Sequence, residues 1–184
     1  MSILKIARMG HPILRERANE IADPQQAQIQ TLVQHMLDTM IDANGLGLAA
    51  PQVHVSKRLV IFSITEEQAE YYDCEIMPLS VLINPVLEPL SDDTNTDWEG
   101  CLSVPGLRGR VPRYDYIGYR SISLEGKVYE REARGWHARV VQHECDHLDG
   151  ILYPQRIENL SDLIFESEIK HHIGSPDDIE VALK

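Results

Sequence analysis

The chain has 184 residues, 43% of them hydrophobic and 25% charged, which is the size and composition of one globular domain. Its apolar runs stop after a few residues, far short of the ~20 needed to cross a bilayer, so a membrane-spanning protein is excluded. Lys plus Arg number 17 against 29 Asp plus Glu, a net charge of -12 that opposes direct binding to nucleic-acid phosphates.

The first residues, Met1 to Arg8, have neither the apolar stretch nor the Ala-x-Ala pattern of an export signal. Three cysteines, Cys74, Cys101 and Cys145, cannot all pair, so a cytoplasmic protein with thiols available for chemistry is expected. One domain is expected over residues 1–174, followed by a loosely ordered acidic tail over 175–184.

In chain order, Asp23 and Pro24 are read as the cap and first position of a long amphipathic helix. Its stripe is Ile29, Leu32, Val33, Met36, Leu37, Met40 and Ile41, and Asn44-Gly45 stops it. Strands are expected over residues 58–64, over 80–87 with Pro85 demoting the end to an edge, and over 115–124, which turns through Glu125-Gly126 into 127–132. Ser91 to Asp97 reads as loop, and Thr65 to Leu79 as an inserted loop that could flank a cleft. From Gly135 a second helix puts Ala138, Val141, Cys145 and Leu148 on one stripe and Trp136, Arg139, Val140, His143 and His147 on the next. A last helix is expected from Ser161 to His172, docked by Leu163, Ile164 and Phe165.

Chemistry concentrates on the second helix, at Gln142-His143-Glu144-Cys145-Asp146-His147. Two imidazoles four residues apart stand on one helix face and can share one metal ion, with Glu144 about 100° round as a general base. An accidental match on a solvated helix face is the plain alternative. A catalytic site needs three protein ligands and an open fourth position, and Cys101, in Glu99-Gly100-Cys101-Leu102-Ser103, is the best third donor. Cys145 follows His143 by two positions, about 200° round the helix, and points to the core; Cys74 lies in a polar loop. His11, His35, His54, His137, His171 and His172 have no neighbour at ligand spacing and are left to surface or packing roles.

The stretch Gly45-Leu46-Gly47-Leu48-Ala49-Ala50-Pro51-Gln52 lacks the ending of a phosphate loop. Two readings stand: a helix stop followed by tight packing, or a place where a substrate backbone approaches closely while Gln52 offers an amide N–H to a polarised carbonyl.

Taken together, Gly45 to Gln52, Glu99 to Ser103 and Gln142 to Gly150 resemble the three signature motifs of peptide deformylase. The likeness extends to Gly10–Arg15, Pro105–Arg113 and Leu152-Tyr153-Pro154, covering most of residues 1–157. It implies removal of the N-formyl group from the initiator methionine of new polypeptides, with release of formate. It further implies that Cys101, His143 and His147 hold one divalent metal ion per chain, usually ferrous iron, with zinc, nickel or cobalt able to replace it. Glu144 would be base and then acid, and Gln52 with the Leu102 N–H the oxyanion donors.

For the methionine side chain the same helical stripe offers Trp136, Arg139 and Val140, with Leu46 facing them. Trp136 and Arg139 read equally as a lid and a rim contact, and Trp136 as core filling. Gly45, Gly47 and Gly100 are placed against the substrate, with Gly47 bonding to an extended peptide. Arg108 and Arg110 read as solvated surface, or as rim contacts for a nascent chain. Family members can dock on the ribosome through a basic C-terminal helix; here residues from Glu158 onward carry seven acidic side chains and two Lys, so transient proximity without a docking helix is expected. The chain is read as a monomer or homodimer.

The expected fold is α+β: mixed or antiparallel strands and hairpins around a central metal-binding helix, with an N-terminal amphipathic helix and a C-terminal helix. A zincin-like metallopeptidase shares the His-Glu-x-x-His helix but would take a His or Glu further along as third ligand, with Glu158, Glu166 and Glu168 available. A non-catalytic metal-binding paralogue would be expected to lose Glu144 or Gln52, and neither is lost.

Overall fold

The computed structural model describes residues 2–71 and 74–172. The expected tail, 175–184, lies outside the described residues.

The first helix, α1 (Ala27–Asp42), buries Ile29, Val33, Met36 and Met40. It starts three residues later than the sequence suggests. The Asp23 carboxylate accepts from the Gln25 N–H at 3.0 Å and so closes a turn at Pro24-Gln25, and no side chain caps the helix itself. Then follow β1 (Gly47–Ala49), a 3-10 turn (Ala50–Val53), β2 (Leu59–Ile64), the short α2 (Glu66–Tyr71) and β3 (Met77–Pro89). The inserted segment is thus partly helical.

The remaining strands are β4 (Thr94–Glu99), β5 (Leu107–Tyr114), β6 (Tyr116–Ile122) and β7 (Val128–Arg134), and α3 (Gly135–Leu148) follows directly. After α3 come β8 (Leu163–Phe165) and α4 (Ile169–His172). Two antiparallel sheets result, β1-β2-β3-β6-β7 and β4-β5-β8.

Three expectations are corrected. β3 is the middle strand of its sheet, not an edge; Pro85 is tolerated because the β3–β6 register shifts between Ile83 and Val86, where no ladder bond is asked of its missing N–H. Most of the expected loop from Ser91 to Asp97 is strand, Thr94 to Asp97 pairing with Tyr114 to Val111. The expected helix from Ser161 to His172 is largely absent. Leu163, Ile164 and Phe165 instead extend against Gly109, Arg108 and Leu107, and only Ile169–His172 is α-helical.

β2 shows how the first sheet is held. Its side chains alternate between two faces. Val60, Phe62 and Ile64 pack with Ala138, Val141, Cys145 and Leu148 of α3, while Leu59 and Ile61 pack with Val33, Met36 and Met40 of α1. The second sheet has its own cluster, with Val104, Val111, Leu152 and Tyr153. α3 touches strands of both sheets, so its polar stripe lies where they meet. Among the described residues no helix is long and apolar enough to cross a membrane.

Candidate metal centre

On α3, His143 and His147 stand one turn apart with ring centroids 5.0 Å from each other. Cys101 arrives from the loop between β4 and β5, two residues past the end of β4. That loop is a tight turn: Val104 N–H donates to Cys101 O at 2.8 Å, and Ser103 N–H approaches Cys101 Sγ at 3.4 Å. The thiol and the two imidazoles form a group whose ligand atoms all lie within 4.8 Å of one another.

One thiolate and two imidazoles suit a borderline transition-metal ion. Cys101 Sγ lies 3.4 Å from His147 Nε2, close to the separation of about 3.6 Å expected when sulfur at ~2.3 Å and nitrogen at ~2.1 Å share one ion tetrahedrally. The residues therefore fit the metal that the resemblance implies. Among the described residues the third member of this group is Cys101, not the His or Glu of a zincin.

Glu99 orients the centre, a role that had not been read from the sequence. Its Oε2 receives His143 Nδ1 at 2.8 Å, which leaves Nε2 free to serve as a ligand nitrogen. The same carboxylate takes two bonds from Arg113, at 2.9 and 3.0 Å, and one from Arg139 at 2.8 Å. Arg113 also reaches Asp146 at 2.6 Å, and Asp146 holds Arg156 at 2.6 Å. Burial works to raise the Glu99 pKa, but hydrogen bonds and charge from His143 and Arg113 outweigh it and hold the carboxyl well below the ordinary range. Burial also opposes charge on Arg113, and Glu99 and Asp146 override it upward. A carboxylate partner for a ligand histidine is the signal that could have identified Glu99 beforehand.

Glu144 is buried, and burial pushes its carboxyl up to about 7. Its Oε2 has no hydrogen-bond partner among the described residues. The side chain lies directly on Gly47: a Cβ there would come within 2.6 Å of Glu144 Cδ, so the close approach requires glycine. Gln52 is 2% exposed; its Oε1 accepts from Ala49 N–H at 2.8 Å and its Nε2 points to Ser103 Oγ at 3.2 Å and Cys101 Sγ at 3.5 Å. The fixed carbonyl end determines which end of the amide faces the centre.

A cleft of about 520 Å³ opens on this centre. Gly45, Leu46, Gly47, Gln52, Gly100, Cys101, Leu102, Trp136, Arg139, Val140, His143 and Glu144 all line it, and His147 is buried behind. Arg139 is 4% exposed, and its guanidinium donates to Glu99, Val111 O and Asn95 O. It is thus a fixed strut between α3 and the second sheet rather than a mobile rim contact. Asp97, Arg108 and Glu166 also reach the cleft. Arg110 is exposed and pairs across from Trp98. Cys145 is in the core, where burial raises its thiol pKa strongly.

Residues 3–162 match the sequence model of a family described as polypeptide deformylase. Peptide deformylase 1 of Nitrosomonas europaea is 49% identical over 158 residues, 86% of this chain and 89% of the relative. Peptide deformylase 1 of Bordetella pertussis is 51% identical over 156 residues, 85% and 88% of the two chains. A Met-Ala-Ser-bound crystal structure of class I type b peptide deformylase from Acinetobacter baumannii matches with a TM-score of 0.79 at 36% identity, over 85% of this chain and 100% of that one. Peptide deformylase from Thermotoga maritima matches with a TM-score of 0.76 at 31% identity, over 86% and 100%. With a family match over most of its length and relatives at about half identity, this chain belongs to the polypeptide deformylase family.

Proposed function

We propose that this enzyme performs its deformylase reaction, hydrolysis of the N-formyl group from the initiator methionine of newly made polypeptides, at the Cys101, His143 and His147 centre. The observation that carries the assignment is the meeting of those three side chains with a buried, partly unsatisfied Glu144 in one cleft. We assign ferrous iron as the ion; zinc, nickel or cobalt would suit the same donors. When bound, such an ion acts as a Lewis acid that makes water nucleophilic near neutral pH and polarises the formyl carbonyl.

The chain's own residues do the rest. Glu144 takes the proton of the attacking water on a carboxylate oxygen and returns it to the departing amine nitrogen; a group lifted toward neutrality by burial can both accept and release it. Gln52 Nε2 and the Leu102 N–H donate to the oxygen that becomes negative at the tetrahedral stage. Glu99 keeps the His143 ring in the ligating tautomer.

β1 is the outer strand of its sheet, so the peptide runs along it in β-augmentation, with Gly45 and Gly47 allowing the close approach and Gly100 facing them. Leu46, Trp136 and Val140 receive the methionine side chain, and the buried Arg139 secures that wall. The enzyme works in the cytoplasm on chains near the ribosome; the acidic residues from Glu158 onward oppose anchoring to ribosomal RNA.

The test is formate release from formyl-Met-Ala-Ser by protein loaded anaerobically with ferrous iron. Rapid release that stops on chelation is expected. Folded, metal-loaded protein that releases no formate would overturn the assignment.

A further inference from the structure

Gln142, next to His143 on α3, opens the third motif and has no part in the chemistry above. Its side chain is clipped to the end of β5. Gln142 Oε1 accepts from Tyr114 N–H at 3.1 Å, and Nε2 donates to Tyr114 O at 2.8 Å. Nε2 also donates to Ala138 O, one turn back on α3, at 2.9 Å, which fixes the side chain against its own helix. A primary amide that takes both the N–H and the C=O of one strand residue stands in for a neighbouring strand. Successive residues of an antiparallel strand turn these groups to alternate sides. Asp115 N–H donates toward β4, to Asp93 O at 2.9 Å, so Tyr114 faces the side where β8 stops pairing at Gly109.

Both ends of the clip adjoin the metal centre. On the helix the next residue is His143. On the strand the preceding residue is Arg113, whose guanidinium donates to Glu99 at 2.9 and 3.0 Å and to Asp146 at 2.6 Å. Glu99 in turn holds His143 Nδ1, so the contacts close a ring through Gln142, Tyr114, Arg113, Glu99 and His143. A backbone bond from Gly135 N–H to Asp115 O, at 2.9 Å, holds the start of α3, about two turns before His143; Gln142 holds the helix beside the ligand itself.

From this geometry we infer that Gln142 is a positioning residue of the metal centre. By clipping Tyr114 to α3 it sets the separation between the Glu99–Arg113 pair on the strands and His143 on the helix, and so the aim of the His143 ring. The inference rests on the metal assignment made above. A group bonded directly to a ligand histidine is worth about 10–100-fold in metal affinity, and Gln142 acts further out, so about three- to tenfold is expected. A side chain of purely structural weight would lower stability and leave affinity alone.

The experiment uses the full chain loaded with cobalt. Metal affinity is read by competition with a chelator, ligand geometry by the visible absorption of the ion, and the clip itself by hydrogen exchange of the Tyr114 N–H. Gln142→Met keeps the length and removes all three bonds; Gln142→Asn keeps an amide too short to reach. Both are neutral, so no charge is added beside the metal. Each is expected to speed exchange at Tyr114, weaken cobalt binding about three- to tenfold and shift its absorption. Tyr129→Phe removes another side-chain bond to a strand carbonyl, Val81 O at 3.0 Å, and is expected to change neither affinity nor spectrum. Unchanged affinity and spectrum in folded Q142M and Q142N would overturn the proposal, as would equal losses in Y129F or rapid exchange of the Tyr114 N–H in the wild type. Failure of both variants to fold would also overturn it, leaving Gln142 a structural role. Wild-type protein that binds no cobalt through a thiolate would instead defeat the metal assignment.

Discussion

Replacing Glu99 with Gln tests whether the carboxylate that holds His143 is a structural keystone and a metal-positioning group together. Glu99 receives four hydrogen bonds from His143, Arg113 and Arg139, and its side chain is 3% exposed beside arginine side chains at 5%. Gln keeps the shape but removes the charge and presents an NH2 where every neighbour is a donor. Breaking a buried ion pair from one side costs about 3–5 kcal/mol; Asp146 still compensates part of Arg113, so the lower end, about 3 kcal/mol, is expected by urea denaturation. Loss of the acceptor for His143 Nδ1 should weaken metal affinity about 10–100-fold, read by competition with a chelator. Stability within 1 kcal/mol of wild type together with unchanged metal affinity would refute the reasoning. Lost stability with unchanged affinity would reduce Glu99 to a structural role.

Three further substitutions separate other contributions. Gly47→Ala drives a Cβ into Glu144; the carboxylate must move, and kcat should fall about 100-fold with metal content unchanged, whereas an active G47A would show that Glu144 need not lie there. Glu144→Ala should keep its metal, measured by elemental analysis, and lose at least ~100-fold in rate; near-normal turnover would remove Glu144 from the proton transfer. Phe62→Ala empties a fully buried position between β2 and α3 and should cost about 3–5 kcal/mol in urea unfolding, with a loss below 1 kcal/mol showing that the core closes over the gap.

What could be read from the sequence follows the range over which each signal acts. The i, i+4 imidazoles of α3 and its core stripe are local consequences of helical period, so residues 135–148 carried their own description. The site's three motifs are also local, and the structure brings twelve of their residues and neighbours to one cleft, with His147 behind it. Pairing between distant segments was not legible. Ile164 and Phe165 favour strand as much as helix, and the exposed edge of β5 decided the matter. Pro85 misled for the same reason: a proline marks an edge only if the ladder needs its N–H, and the shifted register after Ile83 removes that need.

The same distinction explains why the candidate metal ligands were visible and the group that orients them was not. Cys101, His143 and His147 have side chains whose chemistry names their task, while Glu99 is one carboxylate among 29 acidic residues. Its role comes from burial at the end of β4, facing α3, where His143, Arg113 and Arg139 converge on it. The network thus links the second sheet to α3 and fixes the ring of His143 from the side away from Cys101.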